Sequence, residues 1–367
     1  MNWPAARAGA VLTVDLAAIR ANYRLLCDTA APARCAAVLK ADAYGLGAAV
    51  IGAALYAEGC RDFFVAHLDE GMALRPHLPG GAAIYVLHGP APGSVEEFVR
   101  HALVPVLNSI DQMAVWSRAG HVLGAALPAI VQVDSGMARM GLADDEVDAW
   151  VRAPGLASGV RLSMLMSHLG CADQPGHPAN ARQLARFGAL QRRLPPCPAS
   201  LANSSGIFLG PGYHFDLVRS GAALYGLAPL AGMANPLRQA VHLAARILQV
   251  RDIPAGEHVG YAAGYTASTA RTIATVAIGY ADGWMRSAGQ RCFALVDGVR
   301  VAQVGNVSMD SITLDCSGLL AGQIVPGQLV DLVWEGQTVD DVAAQAGTIG
   351  YEILTGLGPR ISRRYVG

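Results

Sequence analysis

One side chain in the sequence differs in kind from every other basic residue. Lysine and arginine together number 27 among the 367 residues, and Lys40 is the only lysine. It follows the apolar run Cys35–Leu39, which is typical of a buried strand, and an ammonium group beside apolar side chains loses hydration. That loss lowers the pKa of the amine and makes it a nucleophile, which a permanently charged guanidinium does not become. The lysine therefore predicts amine chemistry.

The chemistry open to such an amine is a Schiff base, formed either with pyridoxal phosphate or with a carbonyl group of a substrate. The competing interpretation is a lysine that lines the sheet and pairs with a carboxylate. The fold decides between them, because catalytic groups of barrel enzymes gather at the carboxyl ends of the parallel strands.

Short apolar runs alternate with amphipathic stretches between residue 35 and about residue 225. Strands are predicted at CAAVLK, DFFVAH, AIYVLH, LVPVL, AIVQVD, RLSMLMSH and FDLVRS, and helices at GAAVIGAALYAEG and ANARQLARFGALQRRL. Strands that are apolar on both faces and alternate with helices indicate parallel βα units. About eight units predict a (β/α)8 TIM-like barrel over residues 10–237, with Lys40 at the end of its first strand. The alternative, a doubly wound sheet, lacks a GxGxxG turn in support.

The pattern changes at about residue 238. Strands are predicted at ILQVRDI, TIATVAIGYADG, CFALVDGVRVAQVG, SITLD and LVDLVW. Asp297-Gly298 lies between two alternating runs, which indicates a hairpin. We therefore predict a mostly antiparallel β domain over residues 238–367, with a short helix that begins near Val339 and ends at Gly347.

Composition and charge limit the kinds of partner and the location that we expect for the protein. A formal charge of −1 and a pI near 6.8 favour neither a nucleic acid nor an anionic membrane. The seven cysteines form no CxxC pair, so we expect reduced thiols and no metal site. The N-terminus lacks the apolar core of a signal peptide, so a cytoplasmic location is expected. The uncharged run at residues 220–237 contains two prolines and predicts a loop with a short helix rather than a membrane span.

The string around Lys40, AVLKADAYGLG, closely resembles the cofactor-lysine motif of the alanine racemases. Other strings resemble this family's barrel motifs: VDSGMARMG (133–141), SHLGCAD (167–173), NSSG (203–206) and DLVRSGAALYG (216–226). Strings that resemble its C-terminal motifs are VGYAAGYTA (259–267), IGYADG (278–283), SMD (308–310) and GYEILTGLGPR (350–360). The resemblance covers about residues 10–365. It implies a fold-type III enzyme that interconverts L- and D-alanine with pyridoxal phosphate and supplies D-alanine for cell-wall precursors.

The resemblance also implies a cofactor site. Lys40 would carry pyridoxal phosphate and serve as one catalytic base, and Arg219 would face the pyridine nitrogen. Because arginine only donates hydrogen bonds, that nitrogen would stay unprotonated and the carbanion would be less delocalised, which suits return of the proton to Cα. The other cofactor contacts would be Tyr44, His168, Ser204, the backbone of Gly221 and Tyr351.

Racemisation is simplest with one group on each face of Cα, because a single base would have to cross the plane. The resemblance gives the second face to Tyr261 and leaves Tyr265 to packing. In the family this tyrosine comes from the other subunit, so the resemblance implies a homodimer with shared active sites. The substrate contacts would be Arg139, Tyr280, Met309 and Asp310.

Two positions depart from the family's pattern. Leu46 stands where histidine is usual, and we expect little effect of this change on the chemistry; the second position bears on the site. Many relatives carry a lysine seven residues before the arginine of the motif, where a carbamate can form and pair with it; here that position is Gln132. An amide does not form a carbamate. Arg139 would then depend on the Gln132 oxygen, a bound chloride or another carboxylate, or Gln132 is only a polar strand residue.

Three alternatives stay open at this point. A racemase of serine or of a bulkier amino acid would differ in the shape of the substrate entry. A fold-type III decarboxylase would carry a cysteine–acid motif near its C-terminus, and DCSGLL (315–320) lacks that acid. A non-enzymatic barrel that carries pyridoxal phosphate would lack the C-terminal domain. Turnover of L-alanine, L-serine and L-lysine would separate them.

Overall fold

Two eight-stranded sheets organise the chain, of which this computed structural model describes residues 4–320 and 322–367. In chain order the strands are β1 (Ala10–Asp15), β2 (Arg34–Val38), β3 (Asp62–Val65), β4 (Ala83–Val86), β5 (Val104–Leu107), β6 (Leu127–Gln132), β7 (Val160–Met166), β8 (Ala199–Ser200), β9 (Leu217–Ser220), β10 (Val241–Ile253), β11 (His258–Val259), β12 (Tyr265–Thr266), β13 (Arg271–Val276), β14 (Phe293–Val296), β15 (Val299–Val304), β16 (Ile312–Asp315), β17 (Leu329–Val333) and β18 (Ser362–Val366).

The helical segments alternate with the strands of the first sheet and become sparse in the second. They are α1 (Leu16–Ala30), α2 (Lys40–Gly45), α3 (Ala48–Ala57), α4 (Leu68–Leu74), α5 (Val95–Arg100), α6 (Ile110–Leu123), α7 (Asp144–Arg152), α8 (Pro178–Gln191), α9 (Val339–Ala346) and α10 (Gly350–Gly356).

The first sheet is a nearly closed parallel barrel with the strand order β8-β7-β6-β5-β4-β3-β2-β9. Backbone bonds bridge its two ends, since the N–H of Asp216 donates to the oxygen of Ala199 at 3.0 Å. Apolar side chains that point inwards fill the barrel, among them Phe64, Val106 and Ile130, which are fully buried. The predicted barrel is confirmed. The sequence pattern missed β8, because only two residues pair there and three prolines closely precede them.

The second sheet is mostly antiparallel, as predicted, with the order β13-β16-β15-β14-β17-β10-β1-β18. The predicted hairpin joins β14 to β15, where Val296 pairs with Val299 and Gly298 has a φ of 82°. The predicted helix is α9, and Gly347 ends it in the left-handed conformation with a φ of 75°.

The N-terminal strand lies in the second sheet, not in the barrel. β1 pairs antiparallel with β10 and parallel with β18, so residues 10–15 differ from the prediction that put them in the barrel range 10–237. A sequence pattern groups a segment with its neighbours along the chain, whereas this strand pairs with strands that lie more than two hundred residues away. The boundary near residue 238 stays a prediction.

Within the described residues, no helix combines the length and apolar character needed to cross a membrane. The run at 220–237 contains one 3-10 turn, Ala222–Tyr225, followed by irregular chain. The cysteines in the described residues are free thiols.

Candidate active site

Lys40 begins a left-handed helical turn directly after the first barrel strand. In α2 the φ angles of Ala41, Asp42, Ala43 and Tyr44 are 53°, 53°, 53° and 58°. Each L-residue in this conformation costs about 1–2 kcal/mol, so other contacts must hold the turn. The turn reverses the chain within a few residues. Both its first residue, Lys40, and its last left-handed residue, Tyr44, consequently line one cavity at the barrel mouth.

The last strand of the chain helps to hold this turn. The Arg363 guanidinium donates to the oxygen of Gly45 at 3.2 Å, and the Tyr365 hydroxyl donates to the oxygen of Leu46 at 3.0 Å. The second sheet therefore supports the turn that carries the lysine, even though Lys40 belongs to the barrel.

The cavity has a volume of about 430 Å³ and opens at the carboxyl ends of the barrel strands. It gathers side chains and backbone from several βα loops and from α10. The predicted residues that line it are Lys40, Tyr44, Arg139, His168, Ser204, Arg219, Gly221 and Tyr351.

Lys40 lies in surroundings that favour its neutral amine. Burial lowers the pKa of the ammonium group, and the positive charge of Arg139 lowers it further, while the carboxylate of Glu70 opposes both. A lowered pKa increases the fraction of free amine at neutral pH, which is the form that attacks a carbonyl or accepts a proton. The geometry thus supports the amine chemistry predicted from the sequence.

Arg219 is buried with four acceptors around its guanidinium. It donates to Ser200 Oγ and to the oxygen of Ser167, both at 2.6 Å, and to the oxygen of Leu201 at 3.3 Å. Its fourth partner is the Nδ1 atom of His168, at 3.3 Å. Burial lowers the pKa of Arg219 to about 10, so it keeps its charge at neutral pH.

His168 is held neutral. Its ring is partly covered where it faces the cavity, yet burial is the largest cause that depresses its pKa well below the ordinary value, followed by the charges of Arg219, Arg139 and Lys40. Because Nδ1 accepts from Arg219, the proton of the neutral ring sits on Nε2. The arginine and the histidine therefore form one fixed wall of the cavity.

A small backbone cradle lies beside Tyr44. The N–H of Gly221 donates to Ser204 Oγ at 2.8 Å, and the N–H of Ala223 points to the same oxygen at 3.3 Å. A Cβ atom on Gly221 would fall 2.6 Å from the Tyr44 hydroxyl oxygen, so only glycine leaves this cradle open. Two backbone N–H groups, a serine hydroxyl and a tyrosine hydroxyl form a donor set that fits a phosphate group. The site therefore fits pyridoxal phosphate.

Three tyrosines close this end of the cavity. The ring centroid of Tyr44 lies 5.0 Å from that of Tyr225 and 6.0 Å from that of Tyr351. Tyr225 is buried and donates to the oxygen of Val38 at 3.0 Å, which anchors the cluster to the first barrel strand. Tyr351, from α10, remains partly exposed.

Arg139 and Gln132 both line the cavity, but within the part of the chain that the structure describes no hydrogen bond joins them. The Gln132 amide nitrogen donates instead to the oxygen of Met140 at 3.2 Å. Nor does any carboxylate of the described residues form an ion pair with Arg139. The loop itself is fixed by Asp134, whose Oδ1 accepts the N–H of Gly136 at 2.8 Å.

The remaining predicted residues lie outside this cavity, on the β domain. Tyr261 is 71% exposed, and Tyr280 and Met309 are also exposed. Backbone bonds hold Tyr280 beside the segment of Met309 and Asp310, since the N–H of Tyr280 donates to the oxygen of Ser308 at 3.1 Å and the N–H of Ala281 donates to the oxygen of Met309 at 3.0 Å. The Asp310 carboxylate pairs with Arg360 at 2.8 Å. We call Tyr261, Tyr280, Met309 and Asp310 the tyrosine patch. Asn306 links its parts by donating to the oxygen of Tyr261 at 2.9 Å.

Several cavity residues were not singled out from the sequence. Most of them end or follow a predicted strand, where barrel enzymes place functional groups, and Asn203 lies within the quoted NSSG string. They are Phe64, Leu87, His88, Met140, Met166 and Asn203. Position after a strand was the available signal, but it does not say which of several side chains turns inwards.

A parallel barrel that presents a partly buried lysine of lowered pKa beside a backbone phosphate cradle has the architecture of a pyridoxal-phosphate enzyme. Comparison with known proteins gives the family. Residues 14–229 match "Alanine racemase, N-terminal domain" and residues 240–365 match "Alanine racemase, C-terminal domain". The chain belongs to the alanine racemase family.

Individual relatives agree. A Mesorhizobium japonicum protein named "Alanine racemase, catabolic" is 51% identical over 100% of this chain and 96% of its own length. The Bartonella henselae alanine racemase, solved with covalently bound pyridoxal phosphate, superposes with a TM-score of 0.94 at 40% identity, covering 98% of this chain and 100% of that chain. The biosynthetic alanine racemase of Pseudomonas aeruginosa has a TM-score of 0.89 at 36% identity, covering 98% and 100%. The predictions of the family, of an amino-acid isomerase and of its cofactor are confirmed.

Proposed function

We propose that this racemase uses two opposed bases, Lys40 on one face of the substrate Cα and Tyr261 on the other, with the tyrosine supplied by a second copy of the chain. The observation that supports the proposal is that the two predicted bases lie in different places on one chain. Lys40 lies in a cavity with the cofactor cradle, whereas Tyr261 is 71% exposed on the β domain and does not line that cavity.

When bound, pyridoxal phosphate supplies an electron sink that acidifies the Cα–H bond. Lys40 removes or returns the proton on its own face, and its lowered pKa keeps part of the amine free to accept it. Arg219 stays charged and would donate to the pyridine nitrogen, where it would supply a hydrogen bond but not a full proton. That arrangement favours return of the proton to Cα over its delivery elsewhere.

The neighbouring groups have supporting roles. Tyr44, Ser204, Gly221 and Tyr351 would hold the phosphate, and His168, whose tautomer is set by Arg219, would lie against the ring. Arg139 has no carboxylate partner among the described residues, so its guanidinium is available to a substrate carboxylate. On the opposite side, Tyr280, Met309 and Asp310 of the second copy line the substrate entry.

An exposed catalytic tyrosine is the reason for a homodimer. A phenol that works as a base must sit against the substrate, away from bulk water, and the tyrosine patch of one chain provides no enclosing cavity. Packing the patch over the barrel mouth of another copy would cover both surfaces. Each pair of chains would then contain two sites, each made from both chains.

Hybrid dimers test this arrangement. Lys40→Ala and Tyr261→Phe chains are each inactive as pure dimers under the proposal. After subunit exchange, a hybrid contains one site with both bases, so activity should return to about a quarter of the wild-type value in an equal mixture, where half of the dimers are hybrids. Tyr265→Phe mixed with Lys40→Ala is the matched control. Verified exchange without recovery of activity would show that each site is built within one chain.

We further propose that the substrate is alanine, that the location is cytoplasmic and that the role is supply of D-alanine for cell-wall precursors. Enantiomers have equal free energies in water, so the same chemistry serves supply or breakdown, and the enantiomer provided by the cell sets the direction. The Mesorhizobium japonicum relative bears a catabolic name, which favours breakdown as a second candidate. Deleting the gene separates the roles: D-alanine auxotrophy supports supply, and loss of growth on D-alanine alone supports breakdown. Turnover of L-serine and L-lysine beside L-alanine tests the substrate.

A further inference from the structure

The backbone amide next to Lys40 has its partner outside the turn. Within α2 and its flanks, the N–H of Ala43 donates to the oxygen of Leu39 at 2.8 Å. The N–H of Ala41 donates instead to Oε1 of Glu70, at 2.6 Å. This bond reaches from the residue after the lysine to a different βα unit of the barrel.

The other oxygen of the same carboxylate is also engaged. Oε2 of Glu70 accepts the N–H of Ala66 at 2.7 Å and the N–H of His67 at 3.1 Å. His67 is the residue before α4, so this is the local capping of that helix. One charged group therefore joins the end of β3, the start of α4 and the lysine turn.

We infer that Glu70 is a positioning residue for the cofactor lysine, because its carboxylate fixes the left-handed turn that directs Lys40 into the cavity. The inference deepens the proposed function and rests on the role of Lys40 as cofactor carrier. Four left-handed L-residues are costly, and the bond from Ala41 is a charge-assisted one, which is about twice as strong as a neutral hydrogen bond. The bond to Glu70 is made by Ala41, directly after Lys40, so a small rotation of the backbone there would move the lysine side chain.

Glu70 also affects the charge at Lys40. Its carboxylate raises the pKa of the amine, against burial and Arg139. The charged or titratable groups around the turn and the amine include Asp42, Tyr44, His67, His88, Arg139, His168, Arg363 and Tyr365. A test of the tie must therefore preserve the charge at position 70 while it shortens the reach.

The chain contains a matched control. Glu146 occupies the same position in α7: its Oε2 accepts the N–H of Ala143, before the helix, at 3.0 Å. Its Oε1 accepts the N–H of Ile110, from another βα unit, at 2.9 Å. The two glutamates thus make the same kinds of bond, but only Glu70 reaches the lysine turn.

Aspartate separates the cap from the tie. In α9 an aspartate performs the capping, since Oδ2 of Asp341 accepts the N–H of Thr338 at 2.8 Å. Glu70→Asp should therefore keep the charge and the cap of α4. Its side chain is one methylene shorter, so it loses the bond to Ala41 N–H.

The experiment compares Glu70→Asp and Glu146→Asp as full chains loaded with pyridoxal phosphate. Hydrogen exchange of the peptide over residues 40–47, measured by mass spectrometry, should accelerate about tenfold in Glu70→Asp, as expected for the loss of one charge-assisted bond. Cofactor release after dilution should accelerate by a similar factor. The kcat for alanine should fall while KM changes less than about twofold, and Glu146→Asp should match the wild type in all three measurements.

Equal exchange and equal cofactor release in the two variants would overturn the inference, because Glu70 would then only cap α4. Glu70→Gln keeps the length with one accepting oxygen and provides the same measurements if the aspartate variant does not fold; wild-type exchange there would also count against a charge-assisted tie. Turn exchange and cofactor release do not involve Tyr261. Failure of the two-base proposal would appear in the hybrid dimers instead.

Discussion

The barrel cavity and the tyrosine patch present the same kind of chemistry in opposite physical settings. In the cavity, polar groups are enclosed and paired: Arg219 is 4% exposed and contacts four acceptors. In the patch, Tyr261 is 71% exposed and Met309 is 53% exposed. Enclosure strengthens electrostatic effects and shifts pKa values, whereas a group in water keeps little such influence. The cavity can therefore act on a bound cofactor at once, and the patch must first be covered.

The cavity and the tyrosine patch are also built from different segments of the chain. The cavity draws on β strand ends that follow one another around the barrel, together with α10. The patch draws on loops of the second sheet that Asn306 and the backbone of Met309 hold together. These loops make no contribution to the cavity of their own chain. Under the two-base proposal each surface holds one of the two bases, which is consistent with assembly between copies.

The largest effect should follow removal of the lysine from the cavity. Lys40→Ala removes the amine that carries the cofactor and one base, so racemisation should fall by at least about 10⁴, beyond the usual loss for one general base. Borohydride reduction of the wild type should fix one cofactor per chain on Lys40, which peptide mapping detects without interference because no second lysine exists. Lys40→Arg, which keeps a charge but forms no Schiff base, should be as inactive as the Lys40→Ala variant. Active Lys40→Arg protein would contradict the amine role.

The next effect tests the patch. Tyr261→Phe should lower racemisation by about 10²–10⁴ and leave cofactor binding intact, because it removes one base only. Exchange of the Cα hydrogen with solvent should survive better from the D-enantiomer if Tyr261 serves the L face. The matched variant is Tyr265→Phe: its ring packs in the β domain and its hydroxyl contacts Asp315 at 3.3 Å, so activity should stay near that of the wild type. The reverse result, with Tyr265→Phe inactive, would reassign the second base.

The sequence predicted the barrel, the β domain and the residues of the cavity better than their assembly. Alternation of apolar and amphipathic segments indicates parallel units, and the strings around Lys40 and Arg219 identify residues that the structure does bring together. Long-range pairing was not predictable in this way: β1 joins the second sheet because of partners more than two hundred residues away. Likewise, the left-handed α2 turn depends on Glu70 and Arg363, whose contact with the turn no local pattern encodes.

The partner of Arg139 is a similar case, because the sequence left it open among the Gln132 oxygen, a bound chloride and another carboxylate. The sequence offered the Gln132 oxygen as a partner, but the structure shows the Gln132 amide directed to the Met140 oxygen and no recorded bond to Arg139 within the described residues. Spacing along a strand indicates which side chains share a face. It does not decide which way an amide turns, because that depends on backbone acceptors in the following loop.

A third prediction concerns the cradle that distinguishes the cavity. Gly221→Ala should weaken cofactor binding by about 1–3 kcal/mol, since its Cβ would lie 2.6 Å from the Tyr44 oxygen and force a shift. Titration with pyridoxal phosphate measures this change. Gly212→Ala is the matched control, because nothing lies within 4 Å of a Cβ there. The same clash should lower the free energy of unfolding of Gly221→Ala, and adding Tyr44→Phe removes the clashing oxygen and should restore part of that stability. If Gly221→Ala binds the cofactor as tightly as Gly212→Ala does, the phosphate does not bind at this cradle.

The smallest expected effect is a pH dependence of the free energy of unfolding that comes from the enclosure of His168 in the cavity. Burial and the nearby cations depress the pKa of His168 in the folded state, so the unfolded chain takes up the proton first as pH falls below its reference pKa of about 6.5. Stability from this group is therefore present above about pH 6.5 and is lost as pH falls toward the folded-state pKa. By pH 5.5 the loss in the free energy of unfolding reaches at most about 1.4 kcal/mol, the value for a ring that stays neutral in the folded chain. Urea unfolding of the cofactor-loaded protein at pH 7.5 and pH 5.5 measures this loss.

His168→Gln should reduce the difference in the free energy of unfolding between the two pH values by up to about 1.4 kcal/mol. The contributions of other titratable groups persist in both proteins. An unchanged difference would show that the ring is solvated enough to be protonated in the folded chain, and the cavity wall formed with Arg219 would then be open to water.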